Sequence, residues 1–340
     1  MDVLSDVLRV IRLSGAVFFS AELTAPYAIA SPPPPRLAAL LLPATECLAL
    51  FHVLIQGEAW IVVDGEPPLR MERGDVVIFP QSHPHVMTSK VGTPTTSLDG
   101  VLPEANADGL AHVTFGGGGA LTRFVCGYLQ CDQRFNPLMG ALPLFLCVRR
   151  RPGGTVLETS GAGSERTVLV LPPDAAGWLT TTLEYLEAEV AAKQPGGRAM
   201  LARLTELLYV EVLRRYAHQL PVGRTGWLAG LSDPQVGRAL RLLHSEPGQT
   251  WKVETLARKA GVSRSALASR FTALIGESPM HYLAGWRMHL ARQMLQENRL
   301  AIPDVASRVG YASEAAFNRA FKRSVGVPPG QWAKAYARAA

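Results

Sequence analysis

The sequence predicts an α+β multidomain protein, with an all-β unit first, a helical connection next and an all-α unit at the C-terminus. Its 340 residues are enough for two domains that each bury a core. Short apolar runs separated by glycine and proline fill residues 16–170, which is typical of β-strands. Beyond residue 172 the apolar residues recur at steps of three and four, as they do in helices. We therefore expect a β domain over 1–172, a helical linker over 173–232 and an α domain over 233–340.

Five short apolar segments mark the strands of the β unit. They are Ala49–Ile55, Trp60–Val63, Val76–Phe79, Val156–Leu157 and Val168–Leu171. Three stretches rich in glycine or proline predict loops: Ser31–Pro35, in the polyproline II form, Pro94–Gly109 and Gly116–Gly119. We expect the apolar segments to form the buried strands of one unit.

Two helices make up the predicted helical connection, and Gln194–Gly197 separates them. Their apolar positions are Leu179, Leu183, Leu186 and Val190 in the first helix, and Leu201, Leu204, Leu208 and Val212 in the second. The second helix, over Leu201–Tyr216, presents a long apolar stripe between two domains. This stripe favours a homodimer. The alternative is packing between the domains of one chain.

The last third of the chain carries all of the surplus positive charge. The chain is 48% hydrophobic and 18% charged, which excludes wholesale disorder, and its net charge is +6. Residues 233–340 hold 16 Lys and Arg against 7 Asp and Glu, whereas the first 232 residues hold 18 against 21. This asymmetry indicates a nucleic-acid-binding module joined to a different kind of domain.

The basic third contains an internal repeat. Residues 256–267 and 305–317 follow one plan: an apolar residue and an alanine on a short helix, a glycine that ends it, and a serine that caps the next helix. Each second helix has an inward pair of residues four apart, namely Leu267 and Phe271 in the first copy, and Phe317 and Phe321 in the second. This is the plan of a helix-turn-helix, present twice.

With those residues turned inward, the opposite helix faces can enter the major groove of duplex DNA. The outward residues of the first helix, near 263–271, are Arg264, Ser265, Ala268 and Ser269, with Arg270 at its flank. Those of the second helix, near 313–321, are Glu314, Ala315, Asn318 and Arg319, followed by Lys322 and Arg323. Because Asn and Arg match adenine and guanine edges, we expect more direct base readout from the second copy. The small side chains of the first copy suit thymine methyls, water or DNA shape.

A long helix separates the two copies. Ser278 and Pro279 begin it, and it extends to Gln296, a length of 18 residues or roughly 27 Å. Recognition helices held that far apart can reach successive major grooves, which are about 34 Å apart. We expect one polypeptide to contact two grooves on one face of the duplex, and residues 233–340 to fold and bind DNA alone.

These motifs resemble the DNA-binding domain of the AraC/XylS family of transcriptional regulators. The resemblance covers residues 233–332. It includes Ala257, Gly261 and Ser263, the Phe271–Pro279 stretch with Tyr282, the Arg287–Leu295 helix, Ile302, Ala306, Gly310, Tyr311 and Ser313, and Phe317–Arg323 with Gly326, Val327, Pro328 and Trp332. It implies a sequence-specific transcription factor that binds operator DNA at promoters, with RNA polymerase as a further partner. Gly285 and Trp286 depart from the family, in which polar residues often precede the arginine.

Two segments of the β unit resemble the strand motifs of the cupin barrel. They are Phe51–Trp60 and Gly74–His85, in which Gly74 and Pro80 have the cupin spacing and His85 falls where a metal ligand would. Only His52 stands where metal-binding cupins have a His-x-His pair and a nearby Glu. A three-histidine site cannot be assembled from these motifs, so we expect no metal, no cofactor and no catalysis.

The β unit also resembles the cupin-type sensing domain that precedes this DNA-binding module in one AraC branch. Ser14–Phe19, Cys126–Tyr128 and Pro137–Pro143 carry this further resemblance. It implies a barrel that binds a small effector, and a barrel mouth is a suitable pocket. The candidate pocket residues are His52, Trp60, His83 and His85. The alternatives are that Trp60 is a core residue and that the histidines are satisfied or face solvent.

Cysteines provide an alternative sensor. Cys126 and Cys131 are five residues apart, Cys47 lies on a presumed neighbouring strand, and Cys147 is the fourth cysteine. Oxidant sensing needs an exposed thiolate with a low pKa, and no Lys or Arg adjoins Cys47. The pattern favours small, inert core residues.

We interpret the chain as an effector-responsive transcription factor and not as an enzyme. The alternative is a cupin-fold, metal-dependent dioxygenase or isomerase with an accessory DNA-binding module, which would need three or four clustered ligands. The longest apolar stretch, Leu37–Ile55, is interrupted by Pro43, Glu46 and His52, and the acidic N-terminus lacks the basic start of a signal peptide. We therefore expect a cytoplasmic, nucleoid-associated protein with no membrane partner.

Overall fold

The computed structural model describes residues 3–11, 14–41, 48–102, 111–130, 138, 141–150, 157–158, 166–171, 173–192, 194–220, 224–296 and 300–337. The chain divides into two compact units. One, called here the barrel unit, comprises Arg12–Cys131 and Leu142–Leu220. The other, the DNA-binding unit, comprises Met1–Ile11, Asp132–Ala141 and Pro221–Ala340.

The barrel unit contains an eight-stranded and a five-stranded sheet. The strands are β1 (Ser14–Thr24), β2 (Ala28–Ala30), β3 (Leu48–Gln56), β4 (Glu58–Val62), β5 (Leu69–Glu72), β6 (Val76–Phe79), β7 (Val86–Thr88), β8 (Thr96–Ser97), β9 (Ala111–Gly116), β10 (Leu121–Gln130), β11 (Phe145–Arg150), β12 (Leu157–Glu158) and β13 (Arg166–Leu171). The large sheet has the order β12-β13-β11-β6-β3-β10-β1-β9, and the small sheet has the order β5-β4-β7-β2-β8. The all-β class expected for this part of the chain is confirmed.

Both sheets contribute to one apolar core. β3 lies between β6 and β10 in the large sheet, and its residues are buried except for Gln56. In the small sheet β4 alternates, so that Ala59 and Ile61 are buried while Trp60 and Val62 are half-buried. This alternation places Trp60 on the sheet face opposite to the core residues beside it.

Two predicted loops contain short elements. Helix α2 (Pro34–Leu41) begins inside the Ser31–Pro35 stretch, because proline is favoured at the first positions of a helix. The Pro94–Gly109 stretch contains β8 and a 3₁₀ helix, η1 (Leu98–Gly100), and its residues 103–109 lie outside the described part.

The two helices of the predicted linker belong to the barrel unit. They are α3 (Pro173–Ala192) and α4 (Gly197–His218), which pack against each other, and α4 also packs on β1. In the predicted apolar stripe of α4, Leu201, Leu208 and Val212 are buried and Leu204 is half-buried. That stripe therefore packs mainly within the barrel unit, and the homodimer stays a prediction. The exposed apolar residues of α4 are Met200 and Leu207.

The DNA-binding unit is helical. Its helices are α1 (Val3–Ile11), α5 (Trp227–Ser232), α6 (Pro234–Ser245), α7 (Val253–Ala260), α8 (Arg264–Ile275), α9 (Pro279–Gln296), α10 (Ile302–Arg308), α11 (Glu314–Val325) and α12 (Pro329–Ala337). α5 packs against α6 and α8, and α1 contacts α6. The unit thus includes α5, so the expected boundary at residue 233 lies one helix too late. No helix in the described part of the chain is long and apolar enough to span a membrane.

Candidate nucleic-acid interface and effector cavity

The first helix-turn-helix is formed by α7 and α8. Gly261 ends α7 in the left-handed conformation, with φ of 82°. The amide of the next residue, Val262, donates to the carbonyl of Ala257 at 3.0 Å and closes the turn. The hydroxyl oxygen of Ser263 then accepts from the amide of Ala266 at 3.2 Å and caps α8. The glycine and serine therefore have the roles predicted from their spacing.

The second helix-turn-helix, formed by α10 and α11, repeats these contacts with one difference. Gly310 has φ of 80°, the amide of Tyr311 donates to the carbonyl of Ala306 at 2.9 Å, and Ser313 accepts from the amide of Ala316 at 3.3 Å. Two residues, Tyr311 and Ala312, separate the glycine from the capping serine, whereas the first turn has only Val262. The repeat therefore shifts by one residue inside the turn.

The inward faces of the two recognition helices match the prediction. Leu267, Phe271, Phe317 and Phe321 are each 1% exposed or less. Both helices end at a glycine in the left-handed conformation, Gly276 or Gly326. The opposite face of each helix is accordingly directed outward.

On α8, both outward arginines are held by carboxylates of the same unit. Arg264 forms an ion pair with Glu254 at 3.0 Å, and Arg270 forms one with Asp233 at 2.6 Å. Ser265 and Ser269 are exposed, and Ala268 is half-buried. The face of α8 between the two arginines thus consists of small, uncharged side chains, as the sequence predicts.

On α11, the basic residues differ from those of α8 in their ion pairs. Arg319, Lys322 and Arg323 are exposed and form no ion pair with any residue that the structure describes. Glu314 and Ala315 are exposed as well. Asn318 is half-buried, its Nδ2 donates to Glu314 at 3.5 Å, and its Oδ1 is buried without a partner among the described residues. Arg319 is therefore better placed than Asn318 to contact a base edge.

Two features that the sequence reasoning missed hold the recognition helices in place. The first is a buried polar network under α8, in which the indole N–H of Trp227 donates to the Tyr282 hydroxyl at 2.8 Å. That hydroxyl in turn lies 2.7 Å from Nε2 of His244. Burial lowers the pKa of His244 to about 3, so its imidazole is neutral and accepts the hydroxyl proton. The repeat offered a signal, because Tyr282 and the buried Trp332 occupy equivalent positions in the two copies.

The second feature is a contact between the two halves of the unit. Arg287 of α9 donates to the carbonyls of Pro247 and Gln249, both at 2.7 Å, and its guanidinium lies over the ring of Tyr311. Beside it, a Cβ on Gly310 would lie 2.5 Å from the Gly248 carbonyl oxygen, so only glycine fits at Gly310. The loop before α7 is thereby joined to the turn of the second motif.

In the barrel unit, His52 and His85 meet inside the core. Their Nε2 atoms are 2.9 Å apart, His52 Nδ1 lies 3.0 Å from Cys126 Sγ, and His85 Nδ1 lies 2.8 Å from the carbonyl oxygen of His83. The pairing of β3 with β10 places His52 directly opposite Cys126. The ring of His85 also stacks on Phe79. Three of the predicted pocket positions thus share one chain of contacts.

These contacts assign the protons. Burial, together with His85, holds the pKa of His52 well below its usual value, and burial lowers the pKa of His85 to about 4, so both rings are neutral. Because a carbonyl only accepts, His85 Nδ1 carries a proton and its Nε2 accepts from His52. His52 Nδ1 then accepts from the thiol of Cys126, whose pKa burial raises. Each nitrogen of the two rings has one partner.

The two histidines line a narrow cavity with a volume of about 10 Å³, roughly the room for one water molecule. Its other lining residues are Phe19, Ile29, Ser31, Leu37, Leu50, Met87 and Leu98. Trp60 is not among them, because strand alternation turns its side chain to the face of β4 opposite to that of Ala59 and Ile61. His83 contributes only its carbonyl to the histidine chain. Of the four candidate pocket residues, His52 and His85 line this cavity.

His52, His85 and the cysteines are the groups of the barrel unit that a metal or redox role would use. His52 meets Cys126 and His85 with opposite edges of its ring, so no single point lies within reach of all three groups. Among the described residues, no group of three or more His, Cys, Asp or Glu could hold a metal ion. Cys126 and Cys147 are buried, and neither forms a disulfide bond with another described residue. Cys47 and Cys131 lie outside the described residues.

Known proteins resemble the chain in both units. A cupin family model matches residues 2–160 and 166–218, and a helix-turn-helix domain model matches residues 256–335. An AraC-like transcription regulator of Streptomyces lividans is 32% identical over 84% of this chain and 86% of that protein. The HTH-type transcriptional regulator AlkR of Acinetobacter baylyi is 27% identical over 80% of this chain and 83% of that protein. The crystal structure of the DNA-binding domain of AdpA, a global transcriptional factor in complex with a target DNA, is 31% identical and covers 31% of this chain and 96% of that one, with a TM-score of 0.30.

Proposed function

Because the chain belongs to the family of AraC-like transcription regulators and is a DNA-binding transcription factor with an N-terminal cupin domain, we propose that α8 and α11 contact two successive major grooves. The observation that carries this proposal is the duplicated motif, in which each capped helix buries one face and exposes the other. Arg287 holds the two halves together, so neither helix needs a second subunit to find its groove.

The separation of the helices supports contact with adjacent grooves. α9 has 18 residues, or roughly 27 Å. Successive major grooves on one face are about 34 Å apart. A spacer of that length, with a recognition helix packed near each end, suits the repeat of the duplex and would place the whole footprint on one side of it.

The two helices would contribute differently. Arg319 would hold a guanine edge, and Lys322 and Arg323 would lie against phosphates. The small residues Ser265, Ala268 and Ser269 would let α8 fit closely into its groove, with contacts to methyl groups and ordered water.

Hydroxyl-radical footprinting of the full chain on a genomically selected site tests this proposal. We expect two protected patches, one helical turn apart on one face. Arg287→Ala should weaken the two-groove site far more than a site cut down to the α11 groove, and Arg287→Lys should behave like Arg287→Ala, since one ammonium cannot satisfy both carbonyls in this geometry. Protection of a single groove by the wild type would refute two-groove contact.

The barrel unit would bind a small effector at the cavity lined by His52 and His85. Replacing both histidines should abolish the effector response of reporter transcription while basal DNA binding persists, and a chelator should change neither. The protein would act without catalysis, in the cytoplasm, beside promoter-bound RNA polymerase. Metal content decides between this role and that of a metal-dependent cupin enzyme, which should hold close to one iron, manganese or zinc ion per chain after purification.

A homodimer would use the outer face of α4. Met200 and Leu207 are more than half exposed and seven residues apart, so they lie on one side of the helix. Sedimentation equilibrium should find a dimer, and Leu207→Glu should convert it to a monomer. Val91→Glu, a matched change at an exposed apolar residue of the barrel, should leave the dimer intact. A monomeric wild type would refute this part of the proposal.

A further inference from the structure

The cavity beside His52 and His85 has a distinctive chemistry. Six of its nine lining residues are apolar, and none carries a fixed charge. The two imidazoles are neutral, and their four nitrogens are occupied by Cys126, by each other and by the His83 carbonyl. Only the hydroxyl of Ser31, whose contact with Pro32 is long at 3.5 Å, is left to meet a ligand. An anion or a cation would lose its hydration here and gain at most one hydroxyl group in return.

Two short segments close this cavity in the same way. α2 contributes Leu37, which is buried, and η1 contributes Leu98, which is 6% exposed. Each leucine has a charged neighbour in the chain, and these neighbours, Arg36 and Asp99, form an ion pair with each other. The leucines therefore occupy the space beside the histidines while the ion pair joins the two segments on the outside.

We infer that this cavity is a binding site for a small, uncharged, apolar molecule, and that the ligand enters by displacing Leu37 and Leu98 as α2 and η1 part. The inference rests on the proposed effector role of the barrel unit and names the class of effector. Dry apolar cavities of about 150 Å³ accept a ligand the size of benzene. Withdrawal of two leucine side chains would supply space on that scale.

The segments are built to part easily. η1 has three residues, and β8, which precedes it, pairs with β2 over only two. Arg36 is 68% exposed, and ion pairs in such contact with water contribute little. The other carboxylate oxygen of Asp99, Oδ1, is buried without a partner among the described residues, which further disfavours the closed arrangement.

Methyl NMR of the full chain labelled at methionine tests the inference with toluene and benzoate, two probes of similar shape that differ in charge. Met87 lines the cavity, and Met288 is buried in the DNA-binding unit. We expect toluene to shift the Met87 signal in a saturable manner and to leave the Met288 signal unmoved. Benzoate should move neither signal.

Variants test the closing segments. Leu37→Ala should tighten toluene binding by about tenfold or more, because less protein must be displaced. Arg36→Ala should tighten it by roughly two- to fivefold through loss of the ion pair. Leu69→Ala, at a buried leucine outside the cavity, and Arg70→Ala, which breaks the Arg70–Glu58 ion pair, are matched controls that should leave the toluene affinity unchanged.

Three outcomes would overturn the inference. An equal shift of Met87 by benzoate would refute the preference for uncharged ligands. Binding by Leu37→Ala but not by the wild type would mean that the substitution, not the fold, made the site. An unmoved Met87 signal in both would exclude the site altogether. DNA binding of the same samples, measured by fluorescence anisotropy, separates these failures from failure of the proposed function, because a wrong effector class leaves specific DNA binding intact.

Discussion

The two helix-turn-helix motifs have the same turn and cap geometry but differ in the ion pairs of their outward side chains. In the first, Arg264 and Arg270 are held by Glu254 and Asp233. In the second, Arg319 and its basic neighbours are free of ion pairs with the described residues. The glycines, capping serines and inward pairs are equivalent in both. The backbone of the motif is thus the same in both copies, whereas the exposed cations at the outward face differ in whether they form ion pairs with the described residues.

The cores beneath the motifs differ as well. α8 lies over Tyr282, whose hydroxyl connects Trp227 and His244. α11 packs into an apolar cluster that includes Val305, Val309, Phe317, Phe321 and Trp332. The first half should therefore respond to changes in polar partners and pH, and the second half to changes in packing volume.

Among the variants that test this difference, Trp227→Ala should cause the largest loss of stability. Loss of a buried tryptophan costs about 3–5 kcal/mol of unfolding free energy, and here it also removes the donor to Tyr282. We expect the footprint at the α8 groove to vanish while protection at the α11 groove persists. Trp227→Phe, which keeps most of the packing, should cost only about 1 kcal/mol.

The contact between Trp227 of α5 and Tyr282 also bears on where the DNA-binding unit begins. A fragment of residues 224–340 should fold and be more stable in chemical denaturation than the fragment 233–340, which lacks α5 and with it Trp227. Equal stability of the two fragments would contradict the assignment of α5 to this unit.

Arg319→Ala tests whether the second copy contacts bases. We expect a loss of about 1–3 kcal/mol in specific binding and almost no change in nonspecific binding, as for a bidentate contact to guanine. Arg264→Ala is the matched change in the first copy and should alter specific affinity by less than about twofold, because its guanidinium is already paired. Equal losses of specific and nonspecific binding from Arg319→Ala would mean that it contacts phosphate. A larger effect from Arg264→Ala would reverse the comparison.

The pH dependence of stability tests the polar core. The folded pKa of His244, about 3, lies below its unfolded value, about 6.5. Its contribution is complete above pH 6.5 and is lost as the pH falls toward 3, by at most ~1.4 kcal/mol per pH unit, or ~2 kcal/mol at pH 5. Urea titrations of the 224–340 fragment should detect this loss. His244→Leu should flatten the dependence, whereas His281→Gln, a change at an exposed histidine, should not.

The sequence predicted most accurately what adjacent residues decide. A glycine in the left-handed conformation followed by a serine cap is a local rule, so Gly261, Ser263, Gly310 and Ser313 could be assigned from spacing alone. The inward pairs followed from helical periodicity. Contacts between distant segments were not predictable, because the register of β3 against β10 brings His52 to Cys126 and the fold of α5 brings Trp227 to Tyr282.

The position of the Trp60 side chain also follows from a local pattern. Ala59 and Ile61 are buried on the core side of β4, and strand alternation turns the residue between them to the other face. The alternation of apolar residues in this segment therefore indicates the outer face for Trp60. For Arg270, by contrast, no local pattern indicates a partner, because Asp233 is 37 residues away.

The smallest change in DNA binding is expected when one of the paired cations, Arg270, is freed from its carboxylate partner. Oδ1 of Asp233 caps α6 by accepting from the amides of Gln235 and Val236, and Oδ2 binds Arg270. Asp233→Asn keeps a capping oxygen but removes the charge, so Arg270 should become free to reach phosphate. We expect the salt dependence of nonspecific DNA binding to steepen by about one counterion, measured by anisotropy at several salt concentrations.

Two variants test whether the change in salt dependence comes from Arg270 binding phosphate. Lys322→Ala should make the slope shallower by about one counterion, since that lysine has no ion pair with a described residue. Arg270→Ala in the wild-type background should not change the slope. Combining Arg270→Ala with Asp233→Asn should return the slope to the wild-type value. If Arg270→Ala alone makes the slope shallower, Arg270 already contacts DNA despite its ion pair. The first motif would then bind phosphate through a cation of its own. The contrast between paired cations in the first motif and available cations in the second would not hold for DNA binding.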